Sequence, residues 1–357
     1  MKKFLNRVPL VLASSTCIVL AVAGCGGGDD GGQATGDAQT IAFLMPDTAS
    51  TRYELFDRPL FEAKIKDLCA DCEVIYSNAD SSASKQQEQA DSAIAQGVDA
   101  IVIDPVDSAA AATIVNSAQS QDIPVIAYDR PIPDRPADYY VSFDNEAIGA
   151  QIAQSLVDHL TEIGAEGGLL QVNGSPTDAA AGLIKEGVHS SIDSSDFDLL
   201  AEFDTPGWDP TEAQNWVSGQ ITQFGSDIVG VVAANDGTGG GAIAAFKAAG
   251  TAELPPITGN DAELAALQRI VAGDQYNTIS KPIKTVAEAA AEVAYQFASG
   301  ETVEGQTTLF DTPSQLFEPT VVTLDNFQEV VIDGGVATVE DVCTATYADA
   351  CAAAGIE

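Results

Sequence analysis

Histidine and positive charge are both scarce in this sequence. Only two histidines occur in 357 residues, His159 and His189, both inside helical stretches and far in sequence from the cysteines. That leaves no HExxH pair for a catalytic metal and no Cys–His set with zinc spacing. A Ser–His–Asp relay would have to recruit one of two helix-borne rings, and no GxSxG elbow is present. Fifteen lysines and arginines stand against 53 aspartates and glutamates, a formal charge of −38. Such a surface repels phosphate backbones, which excludes nucleic acid as a partner, and it keeps the chain soluble. Apart from the N-terminal segment, no apolar run is long enough to span a bilayer.

That N-terminal segment has its own grammar. Lys2, Lys3 and Arg7 precede the apolar stretch VPLVLASSTCIVLAVAG, which runs into Cys25. A basic region, an apolar region and small residues form a secretory signal, here residues 1–24. Ala23 and Gly24 before Cys25 resemble a bacterial lipobox, so Cys25 is expected as the lipidated first residue. The alternatives are an ordinary signal with a chance cysteine, or an uncleaved anchor. GGGDDGGQATGDAQ follows as a flexible tether, which with the expected lipidated Cys25 makes residues 25–39. The expectation is an extracytoplasmic protein, lipid-anchored to the cell membrane in the periplasm or on the outer face. Of the six cysteines, Cys17 leaves with the signal. Cys69 with Cys72, and Cys343 with Cys351, read as local disulfides of an exported protein. A redox CxxC opens a helix, whereas CADC follows the helical FDRPLFEAKIKDL and precedes a strand.

About 320 residues remain, long for one core and natural for two lobes. Short apolar runs without alternation (TIAFLMP, EVIYSNA, DAIVIDPV, IPVIAYD) are separated by helical, Ala-rich stretches, several ending on Gly. This is the pattern of parallel strands covered on both faces. It restarts after YYVSFDNEAIG and continues through GGLLQVNG, LLAEFD, DIVGVVAAND and YNTISKP. The fold class is α/β, as two doubly wound parallel-sheet lobes.

In open parallel sheets ligands sit at the carboxyl ends of strands. The residues there are Asp47 and Arg52, Asp104, Asp129 and Arg130, Asp144 and Asn145, Asp178, Trp208, Asn235 and Asp236, Asp261, and Lys281. N-caps and turns account for about half of them, since Asp and Asn are favoured there. Arg130, Trp208 and Lys281 cap nothing. Planar donors and acceptors match sugar hydroxyls, and Trp208 and Tyr53 offer faces for the C–H side of a pyranose. Such a site needs no nucleophile, metal or cofactor. GTGGG (Gly237–Gly241) lacks full dinucleotide spacing, because Ala242 takes the last position, and Asn235–Asp236 would set negative charge beside phosphates. Paired carboxylates could serve a glycosidase, but no pair stands out.

The segments VIAYDRPI, YYVSFDNEAIG, NGSPTDAAA, VVAANDGTGGGAI, ITGNDAELAALQRIVAG and TISKPI resemble, in order, D-xylose-type periplasmic sugar-binding proteins. These are type I substrate-binding proteins of ABC importers, and the resemblance covers about residues 40–335. It implies a monosaccharide, D-xylose or a related aldose, held between two lobes joined by a three-segment hinge and delivered to a membrane permease. A monomer is expected; a sugar receptor for chemotaxis or signalling is the alternative, and a glycan-active enzyme a remote one. Carried over by motif, the ligand contacts are Arg52, Tyr53, Asp129, Arg130, Asp178, Trp208, Asn235, Asp261 and Lys281. Asp129 and Arg130 are expected to pair while the site is empty, and Arg130→Ala to weaken binding with little loss of fold. One departure matters: xylose binders usually carry asparagines where this chain has Ala179 and Ala180, and often a tryptophan at Tyr53. The implied lobes are 38–143 with 281–309, and 144–280 with 310–341, leaving 342–357 as a tail. Crossings are expected near Phe143–Asn145, Ser280–Lys281 and Leu309–Asp311, and the helix IKTVAEAAAEVAYQFASG is expected to return onto the first lobe.

Overall fold

A computed structural model describes residues 38–356, residue 49 excepted. The expected signal, Cys25 and nearly all of the tether lie outside the described residues. Within them the chain alternates β1 (Thr40–Met45), α1 (Arg58–Leu68), β2 (Glu73–Asn78), α2 (Ala83–Gln96), β3 (Ala100–Ile103), α3 (Ala111–Gln119), β4 (Val125–Tyr128) and β5 (Tyr139–Phe143). The five strands are parallel, in the order β5-β4-β3-β1-β2. The lack of alternation in TIAFLM has a direct cause, since both faces are covered. Ile41, Phe43 and Met45 pack with Phe61 and Ile65 of α1 on one face. Ala42 and Leu44 pack with Ala90, Ala93, Ile114 and Val115 of α2 and α3 on the other.

A second alternation follows: α4 (Asn145–Glu162), β6 (Gly168–Asn173), α5 (Ala179–Ile192), β7 (Asp198–Asp204), α6 (Pro210–Phe224), β8 (Ile228–Ala233), α7 (Asp236–Ala248) and α8 (Leu264–Val271). Its parallel sheet has the order β7-β6-β8. Helices α6 and α7 cover one face through Ala213, Val217, Ile243 and Phe246. Helices α4 and α5 cover the other, and their Ile148, Ile152, Leu156, Ile184 and Val188 belong to the same apolar core as β1 and α1. Then β9 (Thr278–Ser280) leads to α9 (Ile283–Ala298), which packs against α1 and the first sheet as expected.

One boundary differs from the sequence expectation. Residues 309–311 do not cross between sheets. Phe310 and Asp311 form a tight turn with φ of 49° and 59°, joining β10 (Thr307–Leu309) to β11 (Thr312–Phe317) as a hairpin. β11 then pairs parallel with β5 and makes the first sheet seven-stranded. A Phe–Asp turn carries no glycine to announce it, so a hairpin is hard to see there. The passage comes after Phe317, where β12 (Thr320–Val322) pairs antiparallel with β9. The Asp144 N–H donates to the Phe317 carbonyl (3.0 Å), tying the first and third passages together.

The last residues are more than a tail. α10 (Val339–Val342) and α11 (Ala348–Ala354) fold onto α8, burying Val342, Cys351 and Ile356 against Leu267 and Ile270. Cys343 is bonded to Cys351 here, and Cys69 to Cys72 just after α1. No helix among the described residues is long and apolar enough to cross a membrane.

Two glycines set how closely α4 and α5 pack. A Cβ on Gly149 would lie 2.0 Å from the Ile184 carbonyl oxygen, and one on Gly187 2.1 Å from that of Glu146. Both clashes are with backbone, so no rotamer change relieves them. Gly149→Ala is expected to cost about 1–3 kcal/mol by forcing the helices apart. Urea unfolding of the variant checks this; an unchanged midpoint would mean that the helices have slack.

Candidate functional site

The carboxyl ends of both parallel sheets open on one cavity of about 420 Å³, its mouth to solvent included. All nine residues expected as contacts line it, together with Ser50, Asn145, Ala180, Ile184 and Asn260.

β4 delivers the first pair. After Tyr128 the chain turns through Asp129 in the left-handed region (φ 60°). The turn is locked at its carbonyl, which accepts from Tyr140 Oη and Ser142 Oγ, both at 2.8 Å. The two side chains diverge. Asp129 pairs with Arg52 (3.1 Å), and Arg52 also binds Asp57 through Nε and Nη2 at 3.2 and 3.0 Å. Asp57 additionally accepts from Tyr128 Oη. Burial works against charge on Asp129, but Arg52, then Lys281 and Arg130, hold its carboxyl below the usual range.

Arg130 points the other way, into carboxylates. Its Nε lies 3.3 Å from Asp104 and 3.1 Å from Asp178, and its Nη2 3.3 Å from Asp47. The same Nη2 donates to Tyr53 Oη (3.2 Å), and Nη1 donates to the Pro105 carbonyl (3.1 Å). The expected Asp129–Arg130 pair is thus replaced by Asp129–Arg52 and an Arg130 hub. The left-handed residue turns consecutive side chains to different partners. Arg130 is 6% exposed and Asp104 fully buried. Burial pushes the carboxyls of Asp104 and Asp178 upward, with Arg130 opposing it.

The second sheet supplies the facing wall. Asp178 caps α5 by accepting from the Ala180 N–H (2.8 Å) and also accepts from Trp208 Nε1 (3.0 Å). Asn235 caps α7 through Thr238 (2.8 Å). The helix-cap explanation therefore holds for both, and each nonetheless lines the cavity. Asp261 (φ 104°) pairs with Lys281 at 2.6 Å. Beside them Asp236 is fully buried and held by Thr278, Gln275 and the Glu263 N–H; burial, then Asp261 and Glu263, raise its pKa to about 8.

Two lining amides went unassigned among the contacts. Asn145 follows the cap Asp144, and its amide donates to Tyr140 Oη (3.3 Å). Asn260 is 2% exposed, donates to the Ala234 carbonyl (3.3 Å), and leaves its Oδ1 without a protein partner beside the cavity. The signal for it was its place directly before Asp261. Of the two alanines that depart from the xylose-type pattern, Ala180 lines the cavity with Ile184. The Ala179 N–H is bonded elsewhere, to Ser108 Oγ (3.1 Å). Ser108 also donates its own N–H to the Thr177 carbonyl (3.0 Å), so the loop after β3 is bonded to the start of α5. Among the described residues no cluster of His, Cys, Asp and Glu is arranged to hold a metal.

The family model described as periplasmic binding protein domain matches residues 41–302. The chain belongs to the periplasmic binding proteins. It is 36% identical over 303 residues to the D-xylose-binding periplasmic protein of Escherichia coli (strain K12), covering 83% of this chain and 90% of that one. The xylitol-binding protein of Mycolicibacterium smegmatis is 32% identical over 298 residues, 82% of this chain and 81% of the relative. Among solved structures, the carbohydrate transporter solute-binding protein of Chloroflexus aurantiacus in complex with D-glucose superposes with a TM-score of 0.77. It is 28% identical, covering 85% of this chain and 98% of its own.

In this periplasmic binding protein Arg130 is the hub of a buried carboxylate cluster, which changes what its loss should do. Arg130→Ala takes the Arg130 counter-charge from the buried carboxylates of Asp104 and Asp178 and is expected to cost about 3–5 kcal/mol at pH 7. Removing the cation raises the folded-state pKa of Asp104 and Asp178 further above their unfolded values. Stability tied to raised carboxyl pKa values is present at acid pH and lost as pH rises through them. The variant should therefore recover part of its deficit between pH 7 and pH 5. Denaturant unfolding at both pH values tests this; an equal deficit at each would remove the carboxylates as the cause.

Proposed function

We propose that this chain is the extracytoplasmic binding component of an ABC importer, and that its ligand is a monosaccharide, D-xylose or a related aldose. The observation that carries the reading is the cavity's wall. Arg52, Asp129, Arg130, Asp178, Asn235, Asp261 and Lys281 present planar or tetrahedral hydrogen-bonding groups, and Tyr53 and Trp208 add aromatic faces. A sugar hydroxyl both donates and accepts, so paired carboxylates, amides and cations satisfy it on both sides. Groups left unpaired in a buried site are costly, which makes the fit selective. The names of its relatives support the same class: a D-xylose binder and a xylitol binder by sequence, a glucose complex by structure. Capture of this kind needs no nucleophile, base or cofactor.

In this proposal residues 38–143 and 281–317 form one lobe, and residues 144–280 with the segment after Phe317 form the other. The ligand bridges them and favours the closed form, which docks on a permease. Cys25 carries the lipid that keeps the protein at the membrane. Calorimetry of the purified chain against a panel of pentoses and hexoses tests the reading. Saturable binding tighter than millimolar, with the sugar recovered unchanged, is expected; no binding across the panel sinks it. The Ser108 bonds across the cleft give a second expectation. Ser108→Ala loses one hydrogen bond of the closed form, worth about 0.5–1.5 kcal/mol, so affinity should fall about two- to tenfold. Stopped-flow should place most of that change in dissociation; unchanged kinetics would mean that this contact does not hold the lobes together.

A further inference from the structure

Gly174 follows the last residue of β6. A Cβ built on it would lie 2.1 Å from Cη2, 2.2 Å from Cζ2 and 2.6 Å from Cζ3 of Trp208. The indole occupies the volume that any side chain at 174 would need. Gly174 is not among the residues with positive φ, so close approach rather than backbone conformation calls for a glycine here.

The indole cannot simply retreat, because its backbone is held. Gly207 and Trp208 take φ of 60° and 57° in a short turn. The Trp208 N–H donates to the Thr205 carbonyl (3.1 Å), and the Thr205 N–H reaches the carbonyls of Asn173 and Gly174 (3.3 and 3.0 Å). The Gly207 N–H donates to Ser175 Oγ (3.3 Å). The ring also donates Nε1–H to Asp178 Oδ2 (3.0 Å), the same oxygen that lies 3.1 Å from Arg130 Nε.

We propose that Gly174 is a positioning residue for the ligand site. It seats the Trp208 ring so that the aromatic wall and the Asp178–Arg130 contact are set together. A methyl at 174 has to push the ring off its seat, and the ring takes its hydrogen bond to Asp178 with it. The proposal rests on the sugar reading above for its effect on affinity, but not for its effect on the indole.

The chain has two tryptophans, and Trp216 stacks on Phe203 away from the cavity, with ring centroids 5.4 Å apart. Trp216→Phe therefore makes Trp208 the sole tryptophan reporter. In that background Gly174→Ala is expected to shift ligand-free Trp208 emission and to weaken sugar binding at least about tenfold, as a displaced aromatic anchor would. Trp208→Phe has a smaller ring with no N–H, and adding Gly174→Ala to it should cost less than about threefold more, since coupled neighbours are non-additive. If Gly174→Ala alone does not fold, the pair Trp208→Phe with Gly174→Ala should. Unchanged emission, an equal loss of affinity in both backgrounds, or a double variant that stays unfolded would each overturn the proposal. If no sugar binds the parent, the functional reading fails while the emission shift still decides the role of Gly174.

Discussion

The site is organised by one buried guanidinium. Arg130 collects Asp47 from the end of β1, Asp104 from the end of β3 and Asp178 from the start of α5, each at 3.1–3.3 Å. Asp104 and Asp178 take their counter-charge from it, and an unpaired charge in the interior costs more than most single contacts return. Tyr53 and, through Asp178, Trp208 depend on the same centre. The aromatic faces and the polar ring are therefore parts of one network, and disturbance at any of them is expected to spread.

That network explains why the site can be built on parallel sheets. The strands contribute little beyond their ends; the chemistry sits in the turns and loops that follow them, from the first residue after β4 to the eighth after β1. Two residues of these connections, Asp129 and Asp261, have positive φ. For Asp129, two hydroxyls on the neighbouring strand hold the carbonyl that the turn exposes. Strain of this kind persists only where the surroundings fix it, and here they are the rigid ends of buried strands.

The strands, their parallel character and the residues gathered at their ends were legible in the sequence, because continuous apolar runs and strand-end polar residues are local signals. Partnership was not. Asp129 sits next to Arg130 in sequence yet binds Arg52, since a single left-handed residue redirects side chains in a way that no spacing rule encodes. The hairpin at Phe310–Asp311 was hidden for a similar reason, its turn residues being unusual for positive φ. Asn260 carries no signal of its own beyond its place before the more conspicuous Asp261. Gly174 gave no sign at all, because its role is defined by a ring that lies 34 positions further along the chain.

The ion pairs at the cavity carry a consequence for the medium outside the cell. Arg52, Arg130 and Lys281, three of only fifteen basic residues, are each already matched to carboxylates. A neutral ligand entering among them displaces water and leaves no counterion to release, unlike binding in which charges meet across an interface. Its capture should be nearly indifferent to ionic strength, although the same molecule carries a formal charge of −38. An extracytoplasmic scavenger cannot choose its salinity, and a site that brings its own counter-charges does not have to.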